Sequence, residues 1–216
     1  MYTQKEKDLL IGLIIGDGCL HKNKKGYFSL SIRHGGIQKD YLEHKTALLN
    51  SFKIFNNTLK VKERETKLND KVFMQYEIQK TDKKLEEIYR IMQSGIKETL
   101  KNIKSDRSVA LWFMDDGCVL KNPRKLSNGT YHLCRPSIKL CTHCFSYEEN
   151  VIIAEWFYKK YLIKPSVCTE KKKDKTYYFL KFGVDITEKV YKIIKPYIVC
   201  CNSMEQKFSR LTEYYK

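Results

Sequence analysis

The sequence has no apolar run long enough to cross a bilayer, and it is short of acid. Its longest apolar run, LLIGLII at Leu9–Ile15, falls far below the ~20 residues a membrane helix needs. The MYTQKEKD that precedes it mixes Lys with Glu and Asp and carries no cleavage pattern, so it does not read as a signal peptide. The expectation is an intracellular protein with no membrane partner. Only 25 Asp and Glu stand against 41 Lys and Arg, a formal net charge of +16 over 216 residues. Such an excess disfavours cationic ligands and points to a polyphosphate backbone. A second C-x-x-C is missing too. Cys134, Cys141 and Cys144 lie near His132 and His143, but only Cys141–Cys144 has ligand spacing. Zinc is therefore not expected, and the eight cysteines read as free, buried thiols in a reducing compartment. Apolar residues at 42% suffice for a core and exclude wholesale disorder.

What is present is said twice. LIGLIIGDG at Leu10–Gly18 and VALWFMDDG at Val109–Gly117 are both apolar helical runs that end in Asp-Gly, with Asp17 and Asp116 99 residues apart. EEIYRI at Glu86 and EKVYKI at Glu188 repeat at an offset of 102. Two unrelated segments at nearly one offset indicate a duplicated unit, residues 1–104 and 105–216.

The local patterns follow the same order in each unit. In the first, Glu6–Gly16 is predicted as a helix, Tyr27–Arg33 as a half-buried strand, and Asp40–Phe52 as a helix carrying Tyr41, Lys45, Leu48, Leu49 and Phe52. Thr58–Arg64 and Val72–Lys80 alternate as strands joined by a turn at Leu68–Asp70, and Asp82 caps a helix through Ile91. In the second, helices are expected at Asp106–Asp115, Tyr147–Tyr161 and Asp185–Ile194, the last stopped by Pro196. Strands are expected at Ser166–Lys171 and Tyr177–Phe182, a strand pair with a long loop at Asn122–Gly129 precedes them, and a short helix starts at Ser203. Ser94–Ser105 reads as a tether between the units.

Each Asp-Gly places a carboxylate at a helix C-terminus, with the glycine expected in a left-handed conformation just beyond. The position is electrostatically wrong for an acid, because the helix dipole already puts negative charge there. A bound cation reverses that argument. Few, hard oxygen ligands suit Mg²⁺, with Mn²⁺ or Ca²⁺ able to occupy the same site in vitro. Helices apolar on nearly every face, with Gly12 and Gly16 allowing close approach, predict that both Asp-Gly ends meet between the units. An acidic spot on a basic chain is what a metal-dependent nuclease needs.

These residues resemble the two motifs of a single-chain LAGLIDADG homing endonuclease of the intron-encoded, yeast mitochondrial-like branch. YLEHKTALL, KLCTHCFSYEE, IIKPYI and SMEQKF extend the resemblance over nearly the whole chain. It implies an α+β fold of two αββαββα halves, whose two antiparallel four-stranded sheets form a saddle over double-stranded DNA. It implies a monomer that cuts both strands across the minor groove and leaves short 3′ overhangs. Asp17 and Asp116 are implied as metal ligands, helped by Gly16 and Asp115, and Lys207 and Lys97 as the basic residues near each metal, with Gln93 as an alternative to Lys97. Ile15 and Met114 replace the motif's first acid, and Leu111 stands where the first motif has Gly12. An RNA-splicing maturase that binds its intron RNA is the alternative function on this scaffold, and mitochondrial location is implied by the branch.

On a sheet whose inner face packs on helices, alternate residues face the DNA. In the first unit these are Ser29, Ser31, Arg33, Lys60, Lys62, Arg64, Gln75 and Gln79, with Val72, Met74, Tyr76 and Ile78 inward. In the second they are Arg135, Ser137, Lys139, Lys171, Tyr177 and Lys181. The loops at Lys22–Lys25, Asn122–Arg124 and Lys171–Lys175 are expected on phosphates. Nothing in the spacing of His21 or His34 marks either as a ligand.

Overall fold

A computed structural model of the chain describes residues 1–68, 71–121 and 123–215. The Asn69–Asp70 part of the expected turn, and Asn122, lie outside the described residues. Helix α1 (Gln4–Ile15) starts at a capping box between Thr3 and Glu6. It leads into the hairpin β1 (Gly18–Lys22) and β2 (Phe28–Gly35), then α2 (Lys39–Ser51), β3 (Lys62–Leu68), β4 (Lys71–Thr81), α3 (Leu85–Gln93) and the short α4 (Ile96–Lys101). The second half repeats the order: α5 (Asp106–Asp116), β5 (Gly117–Leu120), β8 (Ser137–Leu140), α6 (Tyr147–Tyr161), β9 (Ser166–Lys172), β10 (Lys175–Phe182), α7 (Val184–Ile198) and α8 (Asn202–Tyr214). The expected long loop after β5 holds a small extra hairpin, β6 (Pro123–Lys125) with β7 (Tyr131–Leu133).

Both main sheets are four-stranded and antiparallel, in the orders β1-β2-β4-β3 and β5-β8-β10-β9. Their inner faces supply Leu30, Ile32 and Ile78 in one half and Ile138, Leu140, Leu180 and Phe182 in the other, all buried. Helices α1 and α5 run between the halves and are buried from Asp8 to Ile15 and from Ser108 to Met114. Their axes approach closely because a Cβ on Gly12 would lie 2.6 Å from the Cβ of Ser108. Asp8 fastens the other end, its carboxylate accepting from Lys104 N and Ser105 N at 2.9 and 3.1 Å. Among the described residues no helix is long and apolar enough to cross a membrane.

Several local expectations are corrected. Strand β3 begins at Lys62 rather than Thr58, because Asn50 clamps the Leu59 backbone in both directions, at 2.8 and 3.1 Å. Lys60 therefore lies outside the sheet. Val72 and Met74 do not face the core but are exposed at the outer end of the hairpin. Pro196 lies inside α7, two residues before its end, where a missing N–H removes only one intrahelical bond. Asp82 is not the N-cap: it lies three residues before α3 begins and accepts from Lys84 N, the residue at the cap position. Cys19, Cys118 and Cys144 are exposed rather than buried.

Candidate metal centre and nucleic-acid interface

Parallel packing of α1 against α5 brings their C-terminal ends together, and the backbone N–H of Asp17 donates to Asp115 Oδ2 across the interface at 3.1 Å. The glycines that follow are not left-handed. Gly117 has φ −73° and ψ 144°. Its hydrogen is needed for space, since a Cβ there would sit 2.3 Å from the carbonyl oxygen of Phe113, and one on Gly18 2.6 Å from that of Leu13. Glycine thus lets each strand leave its helix at once, which puts Asp17 and Asp116 at the junction of helix and sheet.

The electrostatics of that junction are unfavourable without a cation. Burial and the neighbouring Asp17 and Asp115 push the Asp116 carboxyl up to about 7. Burial, with Asp115 adding to it, raises Asp17 as well. Lys207, on α8, donates from Nζ to the carbonyls of Met114 and Asp115 at 2.6 and 2.8 Å. It covers the negative end of the α5 dipole, and burial lowers its own pKa against the pull of the three acids.

Two residues with no site role expected from the sequence, Lys45 and His34, belong to this cluster. Lys45, on α2, is fully buried and forms an ion pair with Asp115, Nζ to Oδ1 at 2.6 Å. Its ammonium also donates to His34 Nε2 at 3.0 Å. Nε2 must therefore be an acceptor, so Nδ1 carries the proton and donates to Gln38 Oε1 at 2.9 Å. Burial and the Lys45 charge hold His34 at about 4, so the imidazole is neutral at pH 7. Asp17, His34 and Asp115 present ligand atoms within 4.8 Å of one another. Both His34 nitrogens and both Asp115 oxygens, however, already have partners. The groups with free capacity are the Asp17 and Asp116 carboxylates, beside the end of α1 at Gly16. A signal for Lys45 did exist: a lysine in an otherwise apolar stripe needs a buried partner.

Lys97 does not join the cluster. It is exposed on α4, which ends after six residues where the chain turns into α5. Together with Leu100, Ile152 and Trp156 it lines a cleft between α4 and α6. Gln93, at the end of α3, is exposed as well.

The register of the first sheet gathers most of the expected polar residues on one face. Ser29 pairs with Thr81, Ser31 with Gln79, Arg33 with Glu77, Lys62 with Glu77 and Arg64 with Gln75. Directly opposed residues share a face, so Ser29, Ser31, Arg33, Lys62, Arg64, Gln75 and Gln79 lie together away from the core. Ser29 and Ser31 are buried on it, and Arg33 is held by Glu77 at 2.8 Å. In the second sheet Lys139 opposes Lys181 and Tyr177 opposes Glu170 on the outward face, where Lys139 pairs with Glu170 at 2.6 Å. Ser137 is fully buried, and Arg135 is exposed ahead of β8. Lys171 opposes Thr176 and so falls on the other face from Tyr177 and Lys181, the face that carries partly buried Val167 opposite buried Leu180. The turns at Lys22–Lys25 and Lys171–Lys175 are exposed at the sheet ends.

Comparison with known proteins gives a consistent family. The profile of the LAGLIDADG DNA endonuclease family matches residues 7–190. Cytochrome b mRNA maturase bI2 of Saccharomyces cerevisiae is 31% identical over 104 residues, 48% of this chain, which spans only 21% of that protein's length. The probable intron-encoded endonuclease 1 of Wickerhamomyces canadensis is 27% identical over 199 residues, 90% of this chain and 80% of that one. Among solved structures, the homing endonuclease I-WcaI bound to its DNA recognition sequence superposes with a TM-score of 0.71 at 24% identity, covering 95% of this chain and 86% of that one. The α+β fold of two antiparallel sheets is shared with that solved structure.

Proposed function

The chain belongs to the LAGLIDADG DNA endonuclease family, and we propose that it is a site-specific homing endonuclease. In this reading it makes a divalent-metal-dependent double-strand break in a long DNA target and leaves short 3′ overhangs. It acts as a monomer, with residues 1–104 and 105–216 as its two halves. One observation carries the proposal: two buried motif helices end side by side, where Asp17 bonds to Asp115 and its charge is felt by Asp116, on a chain of net charge +16.

The donor set fits a hard cation. Two carboxylates raised by burial and by neighbouring acids gain most from a divalent ion, and Mg²⁺ is the ion expected on so few oxygen ligands. Asp17, Asp116 and the Gly16 carbonyl would hold it, while Asp115 orients Asp17 and Lys207 offsets the charge of the helix end. When bound, the cation polarises the scissile phosphate and lowers the pKa of an attacking water. Arg33, Lys62, Arg64, Gln75 and Gln79, with Arg135, Lys139, Tyr177 and Lys181, read the duplex and hold its phosphates.

Similarity to a maturase favours the second reading, intron-RNA splicing, and with it a mitochondrial location. The deciding experiment incubates the protein with a randomised duplex library and Mg²⁺, Mn²⁺ or Ca²⁺. Sequence-specific double-strand cleavage that is abolished by a chelator is expected. Splicing of an intron RNA with no cleavage of any duplex would overturn the endonuclease reading.

A further inference from the structure

We propose that Phe73 is a specificity-determining residue that reads the methyl group of a thymine in the target's first half-site. This inference rests on the reading of the first sheet's outer face as a DNA-binding face. Phe73 opposes Thr66 in the β3–β4 register, two residues along from the Gln75–Arg64 pair. It therefore shares the outward face with Arg64, Gln75, Lys62 and Gln79. Its side chain is 49% exposed. Among the described residues it makes no aromatic or cation contact, unlike Tyr76, which carries Lys39 at 4.9 Å from its ring. An exposed phenyl ring amid basic and amide side chains is poorly placed for core packing and well placed for an apolar feature of a polyanion.

B-DNA offers few such features. In the major groove, which admits a two-stranded ribbon, the thymine C5-methyl is the apolar mark that distinguishes bases. Phe73 lies six residues before Gln79 on β4, about 20 Å along an extended strand and beyond the Tyr76–His34 pair that marks the level of Asp17. At 3.4 Å per base step that separates the two contacts by about six base pairs. The second half carries no aromatic residue at the equivalent position. Ile78 and Leu180 hold equivalent places, opposite Ile32 and Leu140, so the counterpart of Phe73 is Lys175. Methyl readout at this distance belongs to one half-site only.

The test selects binding sites from a randomised duplex library with the wild-type chain in Ca²⁺ and repeats the selection with Phe73→Ala. Wild type is expected to prefer thymine at one position of one half-site, and the variant to lose that preference while keeping the rest of the profile. In a selected duplex, deoxyuridine in place of that thymidine removes only the methyl. Wild-type binding should weaken about three- to fivefold, and F73A should not respond. Equal affinity of wild type for both duplexes, with an unaltered F73A profile, overturns the proposal. Failure of wild type to enrich any sequence would instead count against the DNA-binding reading beneath it.

Discussion

The two halves share a fold but not the chemistry at their junction. Gly18 pairs with Ile32 and Gly117 with Leu140, so Ile32 and Leu140 correspond at a spacing of 108, and Lys39 and Tyr147, which open α2 and α6, differ by the same amount. On that spacing His34 corresponds to Thr142 and Lys45 to Ile153, while Gly16 corresponds to Asp115 through the motif offset. The first half gives up a side chain at Gly16, where a Cβ would lie 2.4 Å from Asp115 Oδ2, and supplies the lysine that neutralises that acid. Two copies of the first half would bury Lys45 with no carboxylate. Two copies of the second would set Asp115 carboxylates against Ile153. The asymmetry therefore specifies heterologous pairing of halves within one chain, around a pair of acids, Asp17 and Asp116, that remains symmetric.

Removing one partner of the junction should break this comparison most severely. Lys45→Met leaves Asp115 buried and unpaired, and is expected to lower stability by about 3–5 kcal/mol, measured by urea denaturation. The double variant Lys45→Met with Asp115→Leu should recover most of that loss. No recovery would mean that the pair does not act as a unit.

The folded chain holds Asp116 near 7, far above the ordinary carboxyl value of 3.8. The folded state therefore binds this proton more tightly than the unfolded state does. In the absence of divalent metal its contribution is destabilising, growing as pH rises from about 4 through 7. Asp116→Asn should raise the metal-free unfolding free energy at pH 8 by about 1–2 kcal/mol and change it little at pH 4. Added Mg²⁺ should stabilise wild type more at pH 8 than at pH 6, and the variant less at both. Thermal unfolding across that pH range measures all three.

The smallest effect is expected on the far side of the molecule. Lys97→Ala should leave cleavage unchanged and stability within about 0.5 kcal/mol, because its side chain is solvated on α4. A large loss of cleavage would restore a catalytic role for that residue.

Much of this was legible in the residues. The motif helices declared themselves because they are apolar on every face, and the repeat offset placed their ends together. Strand periodicity found the outward face of the first sheet, since alternation survives wherever one side is buried. It failed at Thr58–Val61, where Leu59 and Val61 alternate like a strand but Asn50 holds the backbone, and at Val72–Met74, where the hairpin outruns the helices beneath it. Lys45 was visible only as a position in a helical stripe. Its partner lies 70 residues away in the other half, and no local pattern encodes a contact of that range. Lys97 was assigned by symmetry with Lys207, and symmetry is what the junction lacks: α8 reaches the end of α5, whereas α4 is too short to play the same part.

The central claim is that Asp17 and Asp116 together hold the metal that cuts DNA. Its most direct test compares wild type, Asp17→Asn and Asp116→Asn for Mg²⁺-dependent cleavage and for duplex binding on a selected target. Each variant should bind DNA with an affinity close to wild type and lose double-strand cleavage by at least about a thousandfold, roughly 4 kcal/mol of barrier. Double-strand cleavage that persists near the wild-type rate in either variant would contradict the account.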